Sequence, residues 1–191
     1  MRYHSRPLVN LSQTNSRAWY PRQNMIARKA RLAAAAQGNA DEQYLLGLMH
    51  RHGEDGPQDY AQARRLVGLA AAQGHADAQC TLGIMHRGGE GGPQDYAEAR
   101  RLLGLAAAQG DAAAQCTLGI MHLDGEGGPQ DLAEARRLLE LAAAQGHAKA
   151  QTDLGSMHYD GEGGPEDFAE ARRLFGLAAA QGHAQAQAKL G

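Results

Sequence analysis

The sequence predicts an all-α solenoid in which helix–turn–helix units stack on one another. Three observations predict it. The first is a period of 36 residues. Gly38, Gly74, Gly110, Gly146 and Gly182 each follow Gln; Gly47, Gly83, Gly119, Gly155 and Gly191 each follow Leu; Pro21, Pro57, Pro93, Pro129 and Pro165 keep the same step. A fixed period of roughly 20 to 50 residues marks a repeat array. The second is composition: 25 of 191 residues are Gly and only 6 are Pro, a Gly share near 13% against a typical ~7%. The third is apolar spacing, since Ala78, Leu82 and Met85 fall at i, i+4 and i+7, one face of a helix.

Composition also removes function classes. Lys and Arg number 19 against 21 Asp and Glu, a formal charge of −2, so no polyelectrolyte pull toward nucleic acid is expected. Mean hydropathy is −0.51, and no run nears the ~18 apolar residues of a membrane span. Two cysteines cannot build a disulfide-dense scaffold. Aromatics at 5% with one Trp do not make a base-stacking platform. The expected partner is therefore a protein, with no nucleic acid, no membrane and no cofactor, bound by a monomer or a member of a larger complex.

Taken in chain order, residues 1–20 read as a basic, disordered tail. Arg2, Arg6, Arg17, Arg22, Arg28, Lys29 and Arg31 stand before residue 41 without a single acid, while the remainder carries 12 basic and 21 acidic side chains. An organelle transit segment is the alternative reading of that start; Leu8-Val9-Asn10-Leu11 is too short for a secretory signal, so a cytoplasmic location is expected. A half unit, 21–38, comes next, then four full units at 39–74, 75–110, 111–146 and 147–182, then a truncated fifth at 183–191. That last stretch stops within a first helix and lacks a polar cap, so a piece of a longer array is also expected.

Within a unit, Ala76–Arg87 is the first helix, and Asn39 and Asp111 are good N-caps where other units place His, a weaker one. Gly88-Gly89-Glu90-Gly91-Gly92-Pro93 then breaks the helix. The second helix opens with Asp95…Glu98, recurring as Asp131…Glu134, Asp167…Glu170 and Asp59…Gln62, the spacing of a capping box. Ala97, Leu102, Leu105 and Ala106 supply its apolar face, and Gln109-Gly110 closes it with Gly at C′. Gly47, Gly83, Gly119 and Gly155 lie mid-helix, where Gly costs about 1 kcal/mol against Ala. Close approach of the partner helix is the expected gain. These are thin helices that acquire a core by stacking, so Leu82 and Leu118 are expected in one connected core.

The unit from Ala76 to Gly110 resembles a Sel1-like repeat, a relative of the tetratricopeptide repeat. Leu82-Gly83, Gly89-Glu90-Gly91, Asp95, Ala99 and Ala106-Ala107…Gly110 carry the resemblance, which covers about Pro21 to Gly191. It implies a right-handed α-solenoid of stacked helix–turn–helix Sel1-like repeats, working as a protein–protein scaffold. The departures are regular. His50, His86, His122 and His158 stand where the family has Tyr; Leu66, Leu102, Leu138 and Leu174 replace Trp; Gly92, Gly128 and Gly164 replace Val.

Few residues invite chemistry. Equivalent histidines in stacked units lie roughly 10 Å apart, too far to share a zinc ion with ligands ~2 Å from its centre, so they are read as packing residues. Cys80 and Cys116 are one period apart, beyond the ~7 Å limit for a bridge, and are read as free thiols. The turn from Asp124 has Pro129 at its sixth position and Ala135 at its twelfth, which fails an EF-hand; it is read as a solvated turn with a helix cap. No phosphate loop and no Ser/His/Asp set is legible. The Arg pairs at 64–65, 100–101, 136–137 and 172–173 read as a solvated ladder, with Glu98–Arg101, Glu134–Arg137 and Glu170–Arg173 at i,i+3.

The inner wall of the solenoid is what remains. In such an architecture the first helices line it, and positions i, i+3, i+7 and i+10 form one stripe. The candidate protein-binding residues there are Tyr44, Leu48, Arg51, Asp77, Cys80, Ile84, Arg87, Cys116, Ile120, Leu123, Thr152 and Tyr159. Apolar side chains flanked by charge suit a groove that holds a peptide or helix; the opposing expectation is that they bury one another between units. A scaffold with no catalytic, cofactor or metal site is expected, and a hydrolase of the Sel1-like group is the alternative.

Overall fold

A computed structural model describes residues 28–54 and 56–190; the expected basic tail, the start of the half unit and Gly191 lie outside them. Ten helical segments and no strand occur among the described residues: α1 (28–36), α2 (Ala40–His52), α3 (Tyr60–Ala72), α4 (Ala76–Gly88), α5 (Tyr96–Ala108), α6 (Ala112–Asp124), α7 (Leu132–Ala144), α8 (Ala148–Asp160), α9 (Phe168–Ala180) and α10 (Ala184–Leu190). Each packs on the next in chain order, and α4 also touches α6. The chain is an all-α repeat fold. None of these helices is long and apolar enough to cross a membrane.

Capping sets the register. Asn39 and Asp111 accept the backbone N–H three residues on, and His75 and His147 do the same through Nδ1 at 3.2 Å. The histidine caps thus present a ring nitrogen where the other units present a side-chain oxygen. At the second helices Asp59, Asp95, Asp131 and Asp167 accept from the residue three on, at 2.9–3.0 Å. The other half of the expected capping box is absent. Glu98 grips Arg101 instead, and the Asp95 N–H donates to the His86 carbonyl at 2.9 Å. Asp59, Asp131 and Asp167 repeat that donation to His50, His122 and His158. The backbone of the preceding helix end supplies a fixed acceptor, so the carboxylate of Glu is released to its own cation.

The mid-helix glycines do admit a close neighbour. A Cβ at Gly83 would stand 2.7 Å from Leu103 Cγ and 3.3 Å from the Ala99 carbonyl oxygen; Gly119 faces Leu139 and Ala135 in the same way.

The core is segmented rather than continuous, which corrects one expectation: Leu82 and Leu118 sit in different clusters. Leu82 lies with Val67, Ala70, Ala71, Ala78 and Leu102. Leu118 lies with Cys80, Ala99, Leu103, Ala106, Met121 and Leu138. Yet each cluster draws on two consecutive units, and α5 feeds both, through Leu102 and Leu103. The reason is helix thinness. Ala-rich second helices leave no unit with enough apolar bulk to enclose a core alone, so each cluster combines side chains of two units.

Candidate protein-binding wall

The twelve stripe residues divide by exposure. Cys80 and Cys116 are buried, at 5% and 2% exposed, and Thr152 is fully buried. These three cannot touch a partner, which removes them from the expected contact set. Burial pushes both thiols up to about 12, helped by Asp111 at Cys80 and by Asp153 at Cys116; at neutral pH they are unreactive. Thr152 spends its hydroxyl on the Ala148 carbonyl at 2.9 Å.

Three others are half-buried and engaged across unit boundaries. The Tyr44 hydroxyl lies 3.3 Å from Thr81 Oγ1, its ring 4.9 Å from that of His75, and burial raises its pKa. Arg51 donates twice to Glu90, at 2.7 and 3.0 Å, and Arg87 Nε donates to Glu126 at 2.5 Å. Those bonds hold each arginine above its ordinary value. Leu48, Ile84, Ile120 and Leu123 are half-buried, the last three packed on the core clusters; Asp77 and Tyr159 are exposed. The Tyr159 ring stands edge-on to Phe168 at 5.2 Å.

The Gly-rich turns are largely exposed, as expected, and also touch the preceding unit. Gly91, Gly127 and Gly163 have φ near +70° and sit against the carbonyls of Tyr60, Tyr96 and Leu132 in the preceding unit. A Cβ at Gly92 or Gly128 would fall 2.5–2.6 Å from the guanidinium of Arg64 or Arg100. The Arg64 and Arg100 guanidinium ends occupy the space beside these glycines. The Arg ladder is therefore two ladders. Arg101, Arg137 and Arg173 hold Glu98, Glu134 and Glu170 in solvent, whereas Arg64, Arg100 and Arg136 reach the next unit.

Sequence reasoning missed a third periodic contact. Gln43, Gln79, Gln115 and Gln151 are buried on the first helices and donate to the carbonyls of Ala35, Ala71, Ala107 and Ala143 at 3.0–3.2 Å. Their Oε1 atoms accept from Gln73, Gln109, Gln145 and Gln181 at 2.7–2.9 Å. Each buried amide thus ties the ends of two successive second helices. The 36-residue recurrence of both glutamines was the available signal.

Opposite the stripe, Leu69, Leu105, Leu141 and Leu177 are each 43% exposed, so Leu105 is not on the buried face expected for it. It rims a groove of about 360 Å³ between α3 and α5, floored by Leu82; Leu177 rims one of about 560 Å³ between α7 and α9, floored by Leu154. Among the described residues no three His, Cys, Asp or Glu converge as a cation site needs.

The Sel1 repeat model matches residues 43–75, 76–111, 112–147 and 148–183. The chain belongs to the Sel1 repeat family. A Sel1 repeat protein from Oxalobacter formigenes is similar at 30% identity and a TM-score of 0.82, over 86% of this chain and 66% of that one. A protective antigen with an SLR fold, present in uropathogenic Escherichia coli strains, is similar at 32% identity and a TM-score of 0.62, over 86% of this chain and 43% of that one. This Sel1 repeat chain therefore spans two thirds or less of both. No curated protein matches it.

Proposed function

We propose that this Sel1 repeat chain is a protein-binding scaffold that holds a peptide or helix along the wall made by α2, α4, α6 and α8. One observation carries the reading. Leu48, Ile84 and Ile120 recur at one position of successive units and stay partly exposed, giving an apolar line with steps of about 10 Å. Asp77 and Tyr159 add exposed polar and aromatic groups along that wall. Arg51 and Arg87 shape the wall through Glu90 and Glu126 rather than reaching for a ligand. The buried thiols, held up to about 12, support a binder over a cysteine hydrolase.

The test is affinity capture with mass spectrometry on the wild type and on Leu48→Asp/Ile84→Asp. The double variant keeps its helical circular dichroism and loses the captured partner. Retained capture contradicts the reading. The grooves beside Leu105 and Leu177 support a second one, on the α3, α5, α7 and α9 side. Leu105→Asp/Leu177→Asp losing capture, with the first pair neutral, moves the site there.

A further inference from the structure

Two unit boundaries set a guanidinium from one second helix against an imidazole from the next first helix. Arg64 of α3 places Nη2 2.7 Å from Nδ1 and 3.3 Å from Nε2 of His86 on α4. Arg136 of α7 places Nη2 3.0 and 3.2 Å from the same atoms of His158 on α8. At the middle boundary Arg100 turns to the carbonyls of Met121 and Glu126, and the Nδ1 of His122 is buried without a hydrogen-bond partner. A guanidinium only donates and keeps its charge throughout the physiological range. One Nη2 within 3.3 Å of both ring nitrogens lies over the ring rather than along either lone pair, so a fixed positive charge rests on the His86 imidazole and favours the neutral ring.

We propose that His86 and His122 make the repeat stack acid-responsive, their protonation loosening the boundaries between consecutive units in mildly acidic solution. A proton on His86 sets two cations face to face, and one on His122 puts a charged, partly buried ring close to Arg100. The place where this happens matters, because the same arginines hold the Gly-rich turn of the next unit: Arg64 reaches the Glu90 and Pro93 carbonyls, and Arg100 those of Glu126 and Pro129.

Other charges face these rings. Asp95, Glu98 and Arg101 surround His86, and Asp131, Glu134 and Arg137 surround His122. Glu170 lies near His158, with Asp167 at the start of the same helix and Glu140 beside Arg136. The carboxylates favour the charged ring, but Glu98, Glu134 and Glu170 each already hold an arginine, and Asp95, Asp131 and Asp167 cap helices. The balance at His86 and His122 goes to the neutral form: burial first, then Arg64 or Arg100, lowers both below the ordinary histidine value. A lowered folded-state pKa means stability is complete above about 6.5, the unfolded value, and is lost as pH falls through and below it.

The experiment is urea unfolding of the full chain at pH 7.5 and 5.5, for the wild type and for His86→Asn/His122→Asn, in which the amide oxygen keeps an acceptor near Nδ1. The wild type should lose more stability on acidification than the variant, by up to about tenfold in the unfolding constant per histidine, the limit set by an unfolded pKa near 6.5. Equal losses overturn the proposal. Should the variant not fold, NMR of the wild type decides. The Glu90 and Glu126 amides, bonded to the Met85 and Met121 carbonyls at 2.9 Å, should lose hydrogen-exchange protection as the His86 and His122 rings titrate. Rings that titrate with protection intact overturn it equally. The inference stands apart from the binding role proposed above.

Discussion

Replacing Gly127 by Ala separates the two demands that this fold places on glycine. At φ +76° an alanine pays a left-handed cost of about 1–2 kcal/mol. Its Cβ would also arrive 2.6 Å from the Tyr96 carbonyl oxygen and 2.8 Å from the carbonyl carbon. Those are backbone atoms of α5's first residue, fixed in a helix whose cap is Asp95, and they cannot swing aside as a side-chain tip can. Overpacking of that kind adds about 1–3 kcal/mol, for a total of roughly 2–5. Gly110 is the control. It has φ +91° and nothing within 4 Å of a built Cβ, so Gly110→Ala carries the conformational cost alone. In urea unfolding followed by circular dichroism, with a slope of about 2 kcal/mol per molar, Gly127→Ala should lower the midpoint by about 1–2.5 M and Gly110→Ala by about 1 M or less. Equal shifts for the two would refute the claim that the turn is docked on the preceding unit.

Two further outcomes follow from the same contacts. Gln79→Met keeps the volume but strands the Ala71 carbonyl and the Gln109 amide; a loss of about 1–3 kcal/mol is expected, and a thermal melt matching wild type would show the ladder to be idle. The Glu98, Glu134 and Glu170 carboxylates are lowered, first by hydrogen bonds from Arg101, Arg137 and Arg173. Their contribution is therefore present above the ordinary carboxylate value near 4.3 and lost as pH falls through it and below. With arginine side chains 57–58% exposed, solvent screens the pairs and the effect is small. Glu98→Gln should flatten the acid limb of a stability–pH curve measurably but slightly, and an unchanged limb would deny the pair any role.

How far the sequence could be read depended on whether a residue acts within its own unit or across a boundary. Asp95 as a cap, Gly110 at C′ and Gly83 beneath a neighbouring helix are local consequences of spacing, and all were legible. The Glu98–Arg101 pair was legible at i,i+3, but the capping-box bond expected beside it was not formed, because the distant His86 carbonyl takes the Asp95 N–H. Arg64, Gly92 and His86 were each noticed, yet as a solvated charge, a departure from Val and a substitute for Tyr. Their meeting is a property of the stack, since residues 64 and 86 come together only once one unit lies on the next. Cys80 and Thr152 failed as contact residues for the same reason. A stripe computed on one helix cannot reveal which of its members the adjacent helix will cover.

The claim that consecutive units supply each other's core is tested most directly by a double-mutant cycle on Leu103 and Met121. Both are fully buried, they occupy one cluster, and they belong to different units. Leu103→Ala, Met121→Ala and the double variant, measured by urea unfolding, should show a coupling of at least about 0.5 kcal/mol, the range for side chains that share a packed site. Strict additivity would mean that the two units do not share a core.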